Sequence, residues 1–317
     1  MLRRIRVVGL VSLLFIGYHV GAYALTPTEA ESAAKAAYIY GFPLVLMETV
    51  KQQQTNVRTP TSTKAPINQF QYAEILHTPD FRTLILPNTD TLYSTAWLDL
   101  ANEPMVLSVP DSDNRYYIIE LIDAWTNVFS ALGQRTTGTA EQDFAIVGPG
   151  WKGDLPESLE RIDSPTNMVW LIGRIQVNRP RDFTQVRELQ LGFKLLPLSA
   201  WQAQTYVAPV GKVNLSVNIQ SSAVNQVARM DMQTFYGLLA RLMVTNPPAT
   251  ADAALLRRLL MIGLEPGKPF VFKNLPPSIQ QAVIRGYRAG AVAVWQQPKH
   301  AYRGANGWSW CDKTGHY

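Results

Sequence analysis

The spacing of hydrophobic positions changes period along this chain, and the changes divide it into parts. Behind Thr26-Pro27-Thr28-Glu29, a capping box with proline at the first helical position, Ala30, Ala33, Ala34 and Ala37 recur on one helical face. A helix is therefore expected from the start of this stretch. Gly41-Phe42-Pro43 is expected to interrupt it, with Leu44 to Gln54 resuming as a second helical piece. From about Leu84 to Val207 the period drops to two, punctuated by Pro and Gly. In Leu92 to Leu100, the residues Leu92, Ser94, Ala96, Leu98 and Leu100 point one way, while Tyr93, Thr95, Trp97 and Asp99 point the other. Asn167 to Val177 repeats this, with Val169, Leu171, Ile175 and Val177 inward and Trp170, Arg174 and Gln176 opposite. Further strands are predicted at Met105 to Val109, Arg115 to Ile122, Phe144 to Val147 and Thr205 to Val207.

After about Ile219 the helical period returns. Phe235, Leu238, Leu239, Leu242 and Met243 form a stripe that Pro247-Pro248 ends, and Ala251 to Ile262 and Pro277 to Gln296 are two further helices. Short strands without intervening helices argue for an antiparallel arrangement and against a parallel α/β sheet. The predicted fold class is α+β: an antiparallel β-sandwich of jelly-roll character with an N-terminal helical arm and a C-terminal helical cap. The parts are expected at 25–66 for the arm, with Thr59 to Pro66 as linker, 67–218 for the sandwich and 219–317 for the helical region packed on it. Asn306 to Tyr317, with Trp308 and Trp310, reads as a segment entering another element.

The first residues alter the meaning of the charge. Met1-Leu2-Arg3-Arg4-Ile5-Arg6 is a cationic region before the apolar run Val7 to Gly21, and Ala22-Tyr23-Ala24 is a small-residue cleavage site. This is the pattern of a secretory signal peptide over 1–24, too short in its apolar part for a spanning helix. The expected destination is the periplasm or the exterior, with no stable membrane span after cleavage. Cleavage would take three arginines and no acid from a formal charge of +5, so the remainder is nearly balanced and gives no electrostatic argument for nucleic acid. Cys311 is the single cysteine, which excludes an intramolecular disulfide even in an oxidising compartment.

Candidate chemistry is concentrated between residues 87 and 174. Asn88, Asp90 and Thr91 stand in a Pro-led tract before a strand, where such residues close turns by bonding their own backbone. The alternative is that Asp90, with Asp123 brought alongside by strand pairing, supplies carboxylates for acid/base work or oxygen ligands for a hard metal. Tyr93, Tyr116 and Asn127 would add complementary donors and acceptors. Arg115, Arg135 and Arg174 either clamp an anionic group of a ligand or pair with Asp99, Glu120 or Asp123 across the sheet. Tyr116, Trp125, Trp151 and Trp170 suit sugar or aromatic stacking as well as core packing. Gly148-Pro149-Gly150 is a turn without the lysine of a phosphate loop, and Gly-x-Ser-x-Gly and dinucleotide fingerprints are absent. After the leader only His77, His300 and His316 remain, none at zinc-ligand spacing. The sequence names no cofactor and no metal.

Tyr40-Gly41-Phe42-Pro43-Leu44-Val45-Leu46-Met47, Pro87-Asn88-Thr89-Asp90-Thr91-Leu92-Tyr93-Ser94, Ala96-Trp97-Leu98-Asp99-Leu100, Arg115-Tyr116-Tyr117, Asp123-Ala124-Trp125-Thr126-Asn127, Arg135-Thr136-Thr137-Gly138 and Gly148-Pro149-Gly150-Trp151 together resemble the family catalogued as domain of unknown function 1254. The resemblance implies exported or envelope-associated bacterial proteins with a β-sandwich of jelly-roll character and no settled activity. It also implies a following domain of unknown function 1214, reached through a tract that would begin where this chain reads Gly315-His316-Tyr317. That gives the expectation of a truncated or split form whose C-terminal domain is separately encoded. Two functions stand side by side. One is an enzyme acting on a small polar or carbohydrate-like molecule, with Asp90 and Asp123 as catalytic groups and Arg135 as an anion clamp. The other is a non-catalytic ligand-binding or assembly module of the cell envelope.

Overall fold

The computed structural model describes residues 25–76, 89–203 and 205–296, and the backbone pairing of 302–303 with 309–310. The leader, Asn88 and nearly all of Asn306 to Tyr317 lie outside the described residues. In chain order the elements are helix α1 (Pro27–Thr55), then strands β1 (Gln71–Tyr72), β2 (Thr91–Asp99), β3 (Met105–Val109), β4 (Tyr117–Asp123), β5 (Val128–Gly133), β6 (Gln142–Val147), β7 (Glu160–Asp163) and β8 (Met168–Gln176). Helix α2 (Phe183–Gly192) and strand β9 (Lys194–Pro197) follow, and then helices α3 (Ala223–Ala228), α4 (Met232–Thr245), α5 (Ala253–Leu260) and α6 (Pro277–Gln296). The class is α+β, as the change of period requires. Among the described residues no helix is long and apolar enough to cross a membrane.

Two open sheets carry β1 to β9, one ordered β1-β2-β8-β4-β5 and the other β7-β6-β3-β9, apart from the two-residue pairing of 302–303 with 309–310. Their pairs are antiparallel except β6 with β7, which is parallel and departs from the all-antiparallel expectation. The alternation read in β2 and β8 sets two opposite faces. Leu92, Ala96 and Leu98 join Val169, Leu171 and Ile175 of β8 and Tyr117, Ile119 and Leu121 of β4 in one buried cluster. Met105, Leu107, Phe144 and Leu195 from the other sheet complete it. The opposite face of the five-stranded sheet presents Trp97, Met168, Trp170 and Ile122 to a second cluster built by the helices.

Helix α1 begins as its sequence dictates: the Thr26 hydroxyl accepts the Glu29 N–H, and the Glu29 carboxylate accepts the Thr26 N–H at 2.9 Å. It does not break at Gly41-Phe42-Pro43. Tyr38 and Tyr40 before Pro43 and Leu44, Val45 and Met47 after it are buried in one cluster with Phe235, Tyr236 and Leu239 of α4, so packing on both sides carries the helix past the missing N–H. Three other expectations are corrected. Helix α2 interrupts the strand region, because Val186 and Phe193 are drawn into the sheet core. Thr205 to Val207 forms no strand, and Lys194–Pro197 pairs with β3 in its place. Strands β5 and β7 complete sheet edges that the alternation alone does not mark.

Helices α1 and α6 approach closely because two glycines of α6 face α1. A Cβ at Gly286 would lie 2.2 Å from the Glu31 carbonyl oxygen and 2.7 Å from the Ala34 Cβ, and one at Gly290 would lie 2.7 Å from the Tyr38 Cβ. Alanine is the better helix former, by about 1 kcal/mol over glycine, but here it would force the helices apart. Gly286→Ala is expected to destabilise the protein by about 1–3 kcal/mol as overpacking does, read as a lowered urea midpoint; an unchanged or raised midpoint would contradict this packing.

Candidate functional site

The register of β2, β8 and β4 arranges the outer face of the five-stranded sheet as a ladder. Trp97 pairs with Trp170 and Trp170 with Ile122; Thr95 with Ile172 and Ile172 with Glu120; Tyr93 with Arg174 and Arg174 with Ile118; Thr91 stands opposite Gln176. The first rung is apolar and covered by helices, and its two indoles stack 5.2 Å apart and nearly parallel. Beyond it the rungs become polar. Arg174 forms an ion pair with Glu120, its diagonal neighbour, and its guanidinium lies over the Tyr93 ring at 5.4 Å. The side chains of Arg174 and Glu120 are 29% and 25% exposed, so the pair is desolvated in part and still reachable. Burial works against the arginine's charge, but hydrogen bonding to Glu120 and Tyr93 outweighs it and holds the pKa above the ordinary arginine value.

The strands leave the sheet at the same end. Val177 donates its N–H to the Asp90 carbonyl at 2.8 Å, and Gln176 donates to the Tyr116 carbonyl at 3.0 Å. Asp90 is exposed there and Thr91 is half-buried. Arg135, from the turn after β5, lies over the Tyr116 ring at 5.7 Å. That turn depends on Gly133, whose φ of 143° and 2.2 Å approach of a Cβ to the Tyr117 carbonyl oxygen leave room for glycine alone. Arg115 donates to the Gln176 carbonyl at 3.0 Å and pairs with Asp182 at 3.6 Å, not with Asp99, Glu120 or Asp123. Two grooves open at this end and share Asn178. One, of about 580 Å³, is lined by Asp111, Asn114, Tyr116, Gln176, Gln185 and Glu188 among others; the second, of about 530 Å³, is more apolar and includes Ile75, Leu76, Val177 and Phe183.

Asp123, Trp125 and Asn127 lie at the opposite end. Asp123 pairs with Val169 whereas Thr91 pairs with Gln176, and the offset of seven positions along β8 spans about 23 Å at the usual strand rise. Strand pairing therefore separates Asp90 from Asp123, which corrects the expectation of two neighbouring carboxylates. Asp123 is 3% exposed and closes its own corner, accepting the N–H groups of Trp125 and Asn127 at 2.8 and 2.9 Å and the Asn127 amide at 3.1 Å. Burial pushes its pKa up, and these hydrogen bonds offset part of the shift. The corner needs Thr126 at φ 74°, and it drives Trp125 into the helical layer. There its indole lies 4.7 Å from the Tyr40 ring and its Nε1–H reaches the carbonyls of Asn246 and Pro247, both at 3.3 Å.

Of the residues singled out from the sequence, Asp90, Thr91, Tyr93, Tyr116, Arg135 and Arg174 thus gather at one end. Asp123, Trp125 and Asn127 form a structural corner, and Asn88 lies outside the described residues. Glu120 enters the sequence reading only as a partner open to the arginines, and its place beside Arg174 makes it part of the site. Asn178 and Glu188 stand in no motif of their own; the polar tract Asn178-Arg179-Pro180-Arg181-Asp182 one residue beyond β8 is the signal that marks that end. Among the described residues no three His, Cys, Asp or Glu side chains gather as a metal-binding group.

Residues 67–197 match the family described as "Protein of unknown function (DUF1254)", so the resemblance carried by the motifs holds over the sheets. The crystal structure of the VPA0106 protein from Vibrio parahaemolyticus is similar at 25% identity and a TM-score of 0.60, with 84% of this chain covered. This chain spans 58% of the length of that protein. An uncharacterized protein from Burkholderia cenocepacia aligns at 12% identity over 84% of this chain and 57% of its own, with a TM-score of 0.29 that carries no argument about the fold. No curated protein matches the chain.

The Asp123 corner gives a pH prediction. A carboxyl whose folded pKa is raised binds its proton more tightly folded than unfolded, so its contribution to stability falls as pH rises from the ordinary value of 3.8 through the raised one. Asp123→Asn is expected to remove this part of the pH dependence, whereas Asp123→Ala, which leaves buried N–H groups without an acceptor, is expected to cost about 2–3 kcal/mol. Urea titrations between pH 3 and 7 check both; identical pH slopes for wild type and Asp123→Asn would refute the assignment.

Proposed function

We propose that this chain, which carries a DUF1254 region, is an exported protein of the cell envelope that binds a small, neutral, hydroxyl-rich ligand at the polar end of its five-stranded sheet. The observation that carries the reading is Arg174, held between the Glu120 carboxylate and the Tyr93 ring while both members of the ion pair stay partly exposed. Charge is balanced within the pair. An incoming carboxylate or phosphate would have to displace Glu120 and leave it unpaired in a partly desolvated site, whereas a hydroxyl can accept from the guanidinium and donate to the carboxylate with the pair intact. Tyr93, and Tyr116 beneath Arg135, offer ring faces for the apolar side of such a ligand. Two-carboxylate catalysis is not part of this reading, since Asp90 and Asp123 stand at opposite ends of the sheet.

The leader pattern over 1–24 supports the envelope destination. A nearly balanced charge after the leader supports the absence of nucleic-acid binding. One core shared by the inner faces of both sheets supports the sandwich of jelly-roll character, bounded at 67–218 between helical parts at 25–66 and 219–317.

A thermal-shift screen tests the reading. Neutral sugars and polyols are expected to raise the melting temperature, since a ligand at a hundredfold excess over its Kd adds about 2.7 kcal/mol of stability. Organic acids and inorganic phosphate are expected to be silent. Arg174→Lys, which keeps the charge but loses the planar fork, and Glu120→Gln should each abolish the shift while retaining the wild-type circular dichroism spectrum. Stabilisation by anions alone, or a sugar shift indifferent to both substitutions, would sink it.

A further inference from the structure

The outward positions along β8 do not stop at Arg174. Gln176 and then Asn178 follow at the alternating spacing, both exposed, and four residues at the usual strand rise carry Asn178 about 13 Å from Arg174. The backbone keeps to the sheet over this stretch: Gln176 donates to the Tyr116 carbonyl at 3.0 Å and Val177 to the Asp90 carbonyl at 2.8 Å. Gln176, Asn178 and Tyr116 also line the groove of about 580 Å³, so the polar rungs run into it. That volume falls within the range of small-molecule sites, about 300–1,000 Å³.

The groove is built in advance of any ligand. Arg115 ties two of its sides together, donating to the Gln176 carbonyl at 3.0 Å and pairing at 3.6 Å with Asp182, directly before α2. Another side is the turn Ser112 to Arg115, in which Asp113 and Asn114 take φ of 49° and 59° and the Arg115 N–H is donated to the Ser112 carbonyl at 2.9 Å. The Gln134 amide and the Thr139 hydroxyl hold the two oxygens of Asn114, each at 3.3 Å. Where α2 ends it meets Pro110 so closely that a Cβ on Gly192 would lie 2.7 Å from the Pro110 Cγ.

The chemistry of the groove continues that of the Arg174–Glu120 pair. Arg115 is the one cation among the described residues lining it, and Asp182 already pairs with that charge. Asp111, Asp113 and Glu188 repel an anionic group, whereas their oxygens accept from hydroxyls and the amides of Gln176, Asn178 and Gln185 both donate and accept.

We infer that the ligand is a neutral linear oligosaccharide of about three or more rings, one on Arg174, Glu120 and Tyr93 and the next along Tyr116 and Gln176 to Asn178 and Glu188 in the groove. This rests on the binding of a neutral hydroxyl-rich ligand at Arg174 and Glu120, and adds its length and course. A single ring at Arg174 cannot reach Asn178. Each further ring gains contacts without a second loss of translational freedom.

Isothermal titration with glucose and with malto- and cello-oligosaccharides of two to six units tests the inference. In at least one series Kd is expected to fall at least about tenfold from disaccharide to tetrasaccharide and then to level off. Asn178→Ala combined with Glu188→Ala, both at exposed positions, should remove that gain while the unliganded protein keeps its melting temperature. Oligogalacturonates should not bind. Affinity independent of chain length overturns the inference, as does a gain that survives the double substitution or tighter binding of the galacturonates. Under the first two outcomes the short sugars still bind and Arg174→Lys still abolishes it, so the binding at Arg174 and Glu120 stands; no binding of any sugar removes both.

Discussion

The arrangement depends on one anchoring contact, the insertion of Trp125 from the β4–β5 corner into the seam between α1 and the end of α4. Three hydrogen bonds to Asp123 fix the corner, Thr126 takes a positive φ to complete it, and the indole meets Tyr40 on one side and the carbonyls of Asn246 and Pro247 on the other. Asn246 answers from the helices by accepting the Met168 N–H at 2.9 Å, so β8 and α4 are tied at the same place. A buried aromatic with its N–H satisfied and a buried carboxylate with its lone pairs engaged make this junction specific as well as adhesive. Helical cover is thereby fixed over one end of the outer sheet face.

The character of the site follows from that partial cover. Because α1 and its partners seat on Trp97, Trp170, Ile122 and Met168, the rungs beyond them can carry Glu120, Arg174 and Tyr93 with solvent still in reach. A sheet buried on both faces along its whole length would have had to satisfy those groups internally or replace them. The second link between the layers, the Trp97 Nε1–H donated to Gln54 at 2.7 Å, holds the C-terminal turn of α1 near the boundary between the covered and polar rungs. From there the chain runs into the 56–69 segment, where the Arg58 carbonyl accepts the Gly211 N–H and the Gln69 side chain donates to the Pro209 carbonyl.

Elements with a strong local signal were legible without coordinates. The capping box at Thr26 and the stripe through α4 appear where the spacing puts them, and α6 occupies the predicted interval, because one face of each must be buried and the period says which. The alternation in β2 and β8 likewise gave both faces of the central strands. Helix α2 was hidden, since a short amphipathic piece whose one fully buried apolar side chain is Val186 has little helical stripe to set it apart from the strands around it. Pro43 misled because its missing N–H is a local cost that burial on both sides outweighs. Thr205 to Val207 has the composition of a strand, but β3 finds its partner in Lys194–Pro197 instead.

The same division holds for chemistry. Sequence determined which side chains are present, that Tyr93 and Arg174 alternate outward from apolar neighbours, that a single cysteine permits no internal disulfide, and that the strands carry an aromatic and polar face; these are properties of residue type and of a period of two. Tertiary structure decided which of them meet. Register along β8 sets Arg174 beside Glu120 and Tyr93, and the same register sends Asp90 and Asp123 to opposite ends of the sheet, because pairing is fixed by contacts between segments distant in the chain and no local pattern encodes the sum of those offsets.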